Sequence, residues 1–431
     1  MHVRYPLWLQ TAQQRPGARV FASLFAIESC ARALLSTVIT VQALHLLGNA
    51  RDVSLLFASV GLTGLVASFS IPYLIRRYSR RTVYSLGALM ILGAAIAFAT
   101  VEIAGQVIGM LLRVYGVACL NITLSLYILQ YIRRIEFADC ESRRMQFSAV
   151  AWIVGPALGV YLYERLDTVV PFAVSGAMSV LLLVAFWILR LSEQAAISAP
   201  LERSRRGPLR VIGRFVSQPR LRLAWCIVFT RSWWWVFFFI YTPVYAVQQG
   251  LGEMAGALVI SAGNALLFMA PLFAAFARRY GVRVVLRYGY LLCGVFTLFA
   301  AVLFDSPQLA LAALVAATIG TVMLDAVGNV AFLASVRPRE REEMTTVFRT
   351  YLDAAELLPP ALYALVLSFF DLQVIYYLQG LVMLAMVGML AYLPQSLGKT
   401  RIRLPAEGVL PSADQVTPGS PGSPIAVHDQ S

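Results

Sequence analysis

The chain has 431 residues, 59% of them hydrophobic and 13% charged, with a mean hydropathy of +0.72. A soluble domain of this length does not carry that balance; a polytopic helical membrane protein does. The net charge of +13 lies in short loops between apolar runs, where membrane topology explains it and nucleic acid is excluded as a partner.

In chain order, residues 1–18 are polar, contain Pro6 and Pro16, and lack an apolar core followed by a small-residue cleavage site. They read as a cytoplasmic segment and not as a removable signal. A bilayer crossing needs ~20 apolar helical residues. Twelve runs meet that need: 20–47, 53–75, 82–103, 106–132, 147–164, 169–191, 223–248, 253–277, 284–304, 307–335, 345–370 and 372–395. The expected fold is all-α, with one six-helix bundle over 19–191 and a second over 223–395. A basic linker, 192–222, joins them, and a Pro-, Gly- and Ser-rich tail, 396–431, is expected to be disordered.

The two bundles are predicted to be repeats. The stretch Ile71–Gly87 turns between two runs through Arg76, Arg77, Arg80 and Arg81, and a second copy lies 202 positions on, in Ala274–Gly289. At that offset Arg76, Arg77, Tyr78, Arg81, Val83 and Gly87 meet Arg278, Arg279, Tyr280, Arg283, Val285 and Gly289. Gly48 and Gly61 likewise meet Gly250 and Gly263. Agreement at one offset across two apolar spans marks a duplicated membrane bundle.

Basic residues set the orientation. Of 35 Lys and Arg, only Arg51 and Arg165 fall in one set of loops, and Arg32, Arg113 and Arg231 fall inside runs. The remainder share the other side with both termini, which is therefore expected to be cytoplasmic.

Charges inside a bilayer cost ~2.5–3.5 kcal/mol each on insertion scales, so they usually face a cavity and have a role. Here they are Glu28 and Arg32 in run 1, Arg113 in run 4, Arg231 in run 7, Asp325 in run 10, and Asp353 with Glu356 in run 11. Glu28 and Arg32, spaced i, i+4, can neutralise one another, as can Arg349 and Asp353. Glu356 and Asp325 have no basic residue within a turn, and two carboxylates as close as Asp353 and Glu356 resist ionising together. These four acids are the candidate proton carriers, with Asp325 and Glu356 first. Arginine does not release its proton in this range, so Arg32, Arg113 and Arg231 are candidate binding residues. In run 7, Arg231, Trp235, Phe238, Thr242 and Tyr245 share one helical face. With Asn121 and Asn329 they make a candidate lining for an aromatic or anionic solute.

Three features together resemble the major facilitator superfamily: six plus six helices, a basic central linker, and the basic turn repeated after runs 2 and 8. The family's turn reads Gly-x-x-x-Asp-Arg-x-Gly-Arg-Arg. Here Pro72, Arg76 and Ser79 stand where Gly, Asp and the second Gly are usual, and Arg278 again replaces the acid. A gating contact for Arg76, Arg77, Arg80, Arg81, Arg278, Arg279 and Arg283 then needs another acid; Asp139, Glu141, Glu342 and Glu343 are candidates. Arg113-Val-Tyr-Gly116 is similar to the family's Arg-x-x-Gln-Gly, with Gly one position early. Gly155-Pro156-Ala157-Leu158-Gly159 is similar to the Gly-Pro-x-x-Gly of proton-coupled drug exporters, although a plain helix-packing site explains it equally well. The resemblance implies alternating access around a cavity lined by helices 1, 4, 7 and 10, each of which carries one of the charges above.

The expectation is a secondary transporter in a cell membrane that exports a small organic compound in exchange for protons, acting as a monomer. The alternatives are a proton-coupled importer of a metabolite or organic anion, and a non-transporting membrane sensor or scaffold. No enzyme, metal or cofactor is expected. His2, His45 and His428 lie at the termini or a helix end, the five cysteines form no CxxC, and no Walker-type loop exists.

Overall fold

The computed structural model describes residues 17–132, 136–189, 208–336 and 340–393, and every element among them is helical. The segment before residue 17, linker residues 190–207, the tail beyond 393 and the side chains of Asp139, Glu141 and Glu342 lie outside the described residues. The membrane helices are α1 (Ala18–Leu47), α2 (Ala50–Arg77), α3 (Arg80–Phe98), α4 (Ile103–Tyr131), α5 (Phe137–Arg165) and α6 (Val170–Ile188). The second half has α7 (Pro219–Gln248), α8 (Glu253–Tyr280), α9 (Val282–Val302), α10 (Pro307–Ser335), α11 (Thr350–Val366) and α12 (Leu372–Tyr392). Eleven of these are long and apolar enough to cross a membrane. The exception, α11, has 17 residues, or about 26 Å at ~1.5 Å each. A helix over Arg341–Phe348 leads into it across Arg349. A ten-residue linker helix, Pro208–Ser217, precedes α7.

Adding six to each pairing of the first half reproduces the second. In the first, α1 packs on α5 and α6, α3 on α4 and α6, and α2 on α4. In the second, α7 packs on α11 and α12, α9 on α10 and α12, and α8 on α10. The halves meet where α2 packs on α11 and α5 on α8, two contacts that exchange under the same operation. Small residues let the backbones approach. A methyl built on Gly87 would stand 2.9 Å from Gly116 O, and one on Gly289 would stand 2.9 Å from Gly320 O.

The two copies of the basic turn close differently. Ser79 caps α3 by accepting from Thr82 N–H at 3.1 Å. Its counterpart Gly281 has φ +99°, a conformation side chains rarely adopt, so glycine is required there.

The helices break where the charges lie. α1 interrupts between Leu34 and Val38, and there Ser36 N–H turns to Ala33 O at 3.2 Å. α10 interrupts at Gly328 and Asn329, just beyond Asp325. The second half is built around an aromatic core: Trp234, Phe237, Tyr241, Tyr245, Tyr363 and Tyr376 are fully buried. Phe237 stacks on Tyr241, and Trp233 Nε1 donates to Tyr363 Oη at 2.7 Å. Phe239 reaches across to Trp152 of α5.

Candidate functional site

In the first half the charges gather on α1. Arg32 Nη1 lies 3.1 Å from Glu28 Oε1; Glu28 is fully buried, and the Arg32 side chain keeps 21% of its surface exposed. The Arg32 guanidinium stands 5.8 Å from the Trp152 ring centre, and Arg113 Nη2 donates to Arg32 O at 3.3 Å. The helix break explains that last bond. Ser36 N–H, the ordinary partner of Arg32 O, has gone to Ala33 O. Gly159 presses its backbone on Leu34 O, and a methyl on Gly155 would lie 2.8 Å from Ala33 Cβ, so this pair of glycines packs α5 onto the break. Ala157 N–H, next to Pro156, donates to Ser261 Oγ of α8 at 3.2 Å.

Glu356 joins this cluster from the other half. Methyls on Gly61 and Gly64 of α2 would stand 2.5 Å from Glu356 O and 3.4 Å from Glu356 Oε2. The side chain thus lies along a glycine path between α2 and α11. Part of the residue's surface is left uncovered by the rest of the protein, and its carboxylate is within electrostatic reach of Arg32, Arg113 and Asp353. One turn earlier, Asp353 accepts from Ser68 Oγ of α2 at 2.9 Å and makes no ion pair with Arg349.

In the second half the pairing runs between helices. Arg231 Nε of α7 stands 3.2 Å from Asp325 Oδ1 of α10, and Trp235 Nε1 donates to Asp325 Oδ2 at 2.8 Å. Tyr351 closes over the Arg231 guanidinium at 5.9 Å. Asp325, without a cation on its own helix, takes one from α7.

The other candidates separate. Phe238 is fully buried, and a methyl on Gly263 of α8 would lie 2.9 Å from its ring. Thr242 and Tyr245 are equally buried and Arg231 is nearly so, so within the predicted stripe only Trp235 is half-exposed. Asn121 is half-buried and Asn329 is exposed at the α10 break. Among the turn arginines, Arg80 donates to Gln130 at 2.9 Å and Arg81 lies 5.8 Å from the Trp187 ring, both within the first half. Arg279 lies over Tyr280, Arg76, Arg77 and Arg278 are exposed, and Arg283 is half-buried.

The sequence did not point to Arg144. It falls outside the run 147–164, but α5 begins at Phe137 and carries it inward, 4.2 Å from the Phe25 ring and within reach of Glu28. Tyr351 and Trp152 carried no signal beyond being aromatic. At the end away from the basic turns, three links join the halves. Ser54 and Tyr241 share a hydroxyl bond of 2.7 Å, Met254 N–H donates to Glu164 at 3.2 Å, and His45 Nε2 lies 3.2 Å from Glu253 Oε1. Beside them opens a groove of about 460 Å³ lined by Arg51, Asp52, Gln248, Phe304, Phe370 and Asp371. Among the described residues no group of His, Cys, Asp and Glu is placed to hold a metal.

The fold matches solved transporters at low identity. A POT family transporter in complex with 5-aminolevulinic acid superposes with a TM-score of 0.70 at 11% identity, over 87% of this chain and 96% of that one. A peptide transporter POT in complex with sulfate gives 0.68 at 14%, over 90% and 98%. The nucleoside transporter NupG gives 0.64 at 11%, over 87% and 98%. No curated protein matches in sequence. The sequence profile of the Major Facilitator Superfamily matches residues 21–269 and 265–421, nearly the whole chain. Two six-helix repeats, facing charges between them and this match assign the chain to the Major Facilitator Superfamily, as a multi-pass secondary transporter and not an enzyme.

Proposed function

We propose that this transporter couples protons to the movement of a small organic solute bearing an anionic group. The observation that carries the reading is the position of Glu356, packed along Gly61 and Gly64 of the other half and within electrostatic reach of Arg32 and Arg113 there. An ionised Glu356 answers those cations itself. A protonated Glu356 leaves Arg113 without a carboxylate, and its planar fork of donors then suits a solute carboxylate or phosphate. Proton and anion therefore bind together, which favours symport. Arg231, held by Asp325 and Trp235, supplies the opposing wall of the cavity, and Asp325 is the second proton site. Glu28 and Asp353, already partnered, hold their neighbours in place. The basic turns and the linker helix face the cytoplasm, with both termini on that side. One chain holds both charge clusters, so a monomer suffices.

Export in exchange for protons is the second reading. It is favoured by Gly155, Pro156 and Gly159, whose motif is similar to that of the exporters and which here brace the α1 break. Purified protein screened by thermal shift against metabolites and drugs identifies the solute class. Everted and right-side-out vesicles carrying a pH gradient then separate the readings. Symport requires solute to move with protons, and accumulation against the proton flow overturns it in favour of exchange.

A further inference from the structure

The linker helix Pro208–Ser217 presents three different faces. Val211 and Phe215, one turn apart, are buried in the core of the second half. On the adjoining face Ile212 and Val216, also one turn apart, remain 46% and 51% exposed. Arg210 and Arg214 lie on the far side, and Arg214 pairs with Glu340, at the start of the helix that leads into α11. A ten-residue helix with an uncovered apolar pair next to its buried pair has one half of its apolar face unaccounted for.

Its place in the fold indicates what covers that half. Only Gln218, in an extended conformation, separates Ser217 from Pro219, the first residue of α7. Because α7 crosses the bilayer, the linker helix lies at the level where α7 enters it. Exposed Arg220 and Arg222 on the first turn of α7 stand at the same level. We infer that the linker helix is an interfacial element that seats Ile212 and Val216 among the acyl chains of an anionic leaflet. Arg220 and Arg222 meet its lipid headgroups. An exposed apolar pair with cations on the next helix at the same level is the composition such a surface binds, and each arginine near it adds electrostatic attraction that salt screens. Through Arg214 and Glu340 the seated helix also bears on the approach to α11, where Asp353 and Glu356 lie.

The test uses the purified full-length chain in nanodiscs of phosphatidylcholine alone or of an equimolar mixture with phosphatidylglycerol. Backbone hydrogen exchange is read over 208–217. The amides of the linker helix should exchange about tenfold more slowly in the anionic bilayer, an effect lost at high salt. The double variant Arg220→Gln, Arg222→Gln should exchange at the neutral-lipid rate in both bilayers. Ile212→Asn with Val216→Asn should exchange faster in both, with α7 unchanged as the internal control for folding. Equal exchange in the two bilayers overturns the inference. Slow exchange confined to native membranes, and absent from both nanodiscs, also overturns it and assigns the face to a protein partner.

Discussion

Between α2 and α11 the halves meet through Gly61, Gly64 and Ser68 on one side and Asp353 and Glu356 on the other. Between α5 and α8, related by the internal repeat, they meet through Ala157 with Ser261 and Glu164 with Met254. The packing is equivalent and the chemistry is not. Gly61 and Gly263 are the same position of the repeat, yet Gly61 admits the backbone of the opposite half and Gly263 admits the Phe238 ring of its own. Duplication kept the glycine and let its use diverge. One interface became a close backbone contact holding two carboxylates, and the other an apolar joint with hydrogen bonds at its rim. Proton coupling is therefore expected to concentrate on the α2–α11 side.

The comparison breaks most directly at the glycine. Gly61→Val places side-chain atoms where a methyl already stands 2.5 Å from a carbonyl that cannot move aside. Overpacking of this kind costs ~1–3 kcal/mol, so transport by the reconstituted variant should fall at least tenfold, with a lower melting temperature. Gly263→Ala meets the outer edge of the Phe238 ring and, in ordinary contact, the Thr318 methyl, and no backbone, so it should keep most of the rate. Equal losses at the two positions would mean that the interfaces are alike after all.

Next in size is Glu356→Gln. Accumulation against a gradient should drop by about tenfold or more, while exchange at equal concentrations in proteoliposomes persists. Glu164→Gln, at the opposite interface, should leave both intact. Full accumulation in Glu356→Gln would remove it as a carrier and turn attention to Asp325.

The sequence made the coarse frame legible for plain reasons. Twelve apolar runs, a repeated basic turn and intramembrane charges all follow from the cost of polar groups in lipid. The Glu28–Arg32 pair could be read because both residues share one helix. The Arg231–Asp325 pair could not, since its partners are 94 positions apart and meet only once α7 packs on α10. Helical periodicity put Phe238 on the face of Arg231, but periodicity does not say which length of that face a neighbour covers, and Gly263 leaves room for α8 to cover it. The break in α1 was equally hidden, because it depends on α5 pressing against Leu34 and not on a proline in α1 itself.

A smaller effect is expected from the binding arginines. Arg113→Lys and Arg231→Lys keep the charge and lose the planar fork. At ~1.5–3 kcal/mol for hydrogen bonds to charged groups, an anionic solute identified by the thermal-shift screen should bind about tenfold more weakly by calorimetry. Unchanged affinity in both would place the anion elsewhere. The smallest contrast is between two hydroxyls. Ser68→Ala deprives Asp353 of its donor, and Ser261→Ala frees only the Ala157 amide. Each bond is worth ~0.5–1.5 kcal/mol. A few-fold change in the pH dependence of transport is expected for Ser68→Ala and none for Ser261→Ala, with initial rates across a pH series as the readout.

The hydrogen bond from Trp235 to Asp325 has a practical consequence. An indole emits according to the charge beside it, and this one touches the carboxylate it would report on. Trp152, stacked near Arg32, does the same for the first half. With only seven tryptophans in the chain, replacing the other five by phenylalanine would leave one natural fluorophore beside each charge cluster. Their ultraviolet emission, followed in real time without any attached dye, would show which half of the transporter responds first when protons arrive.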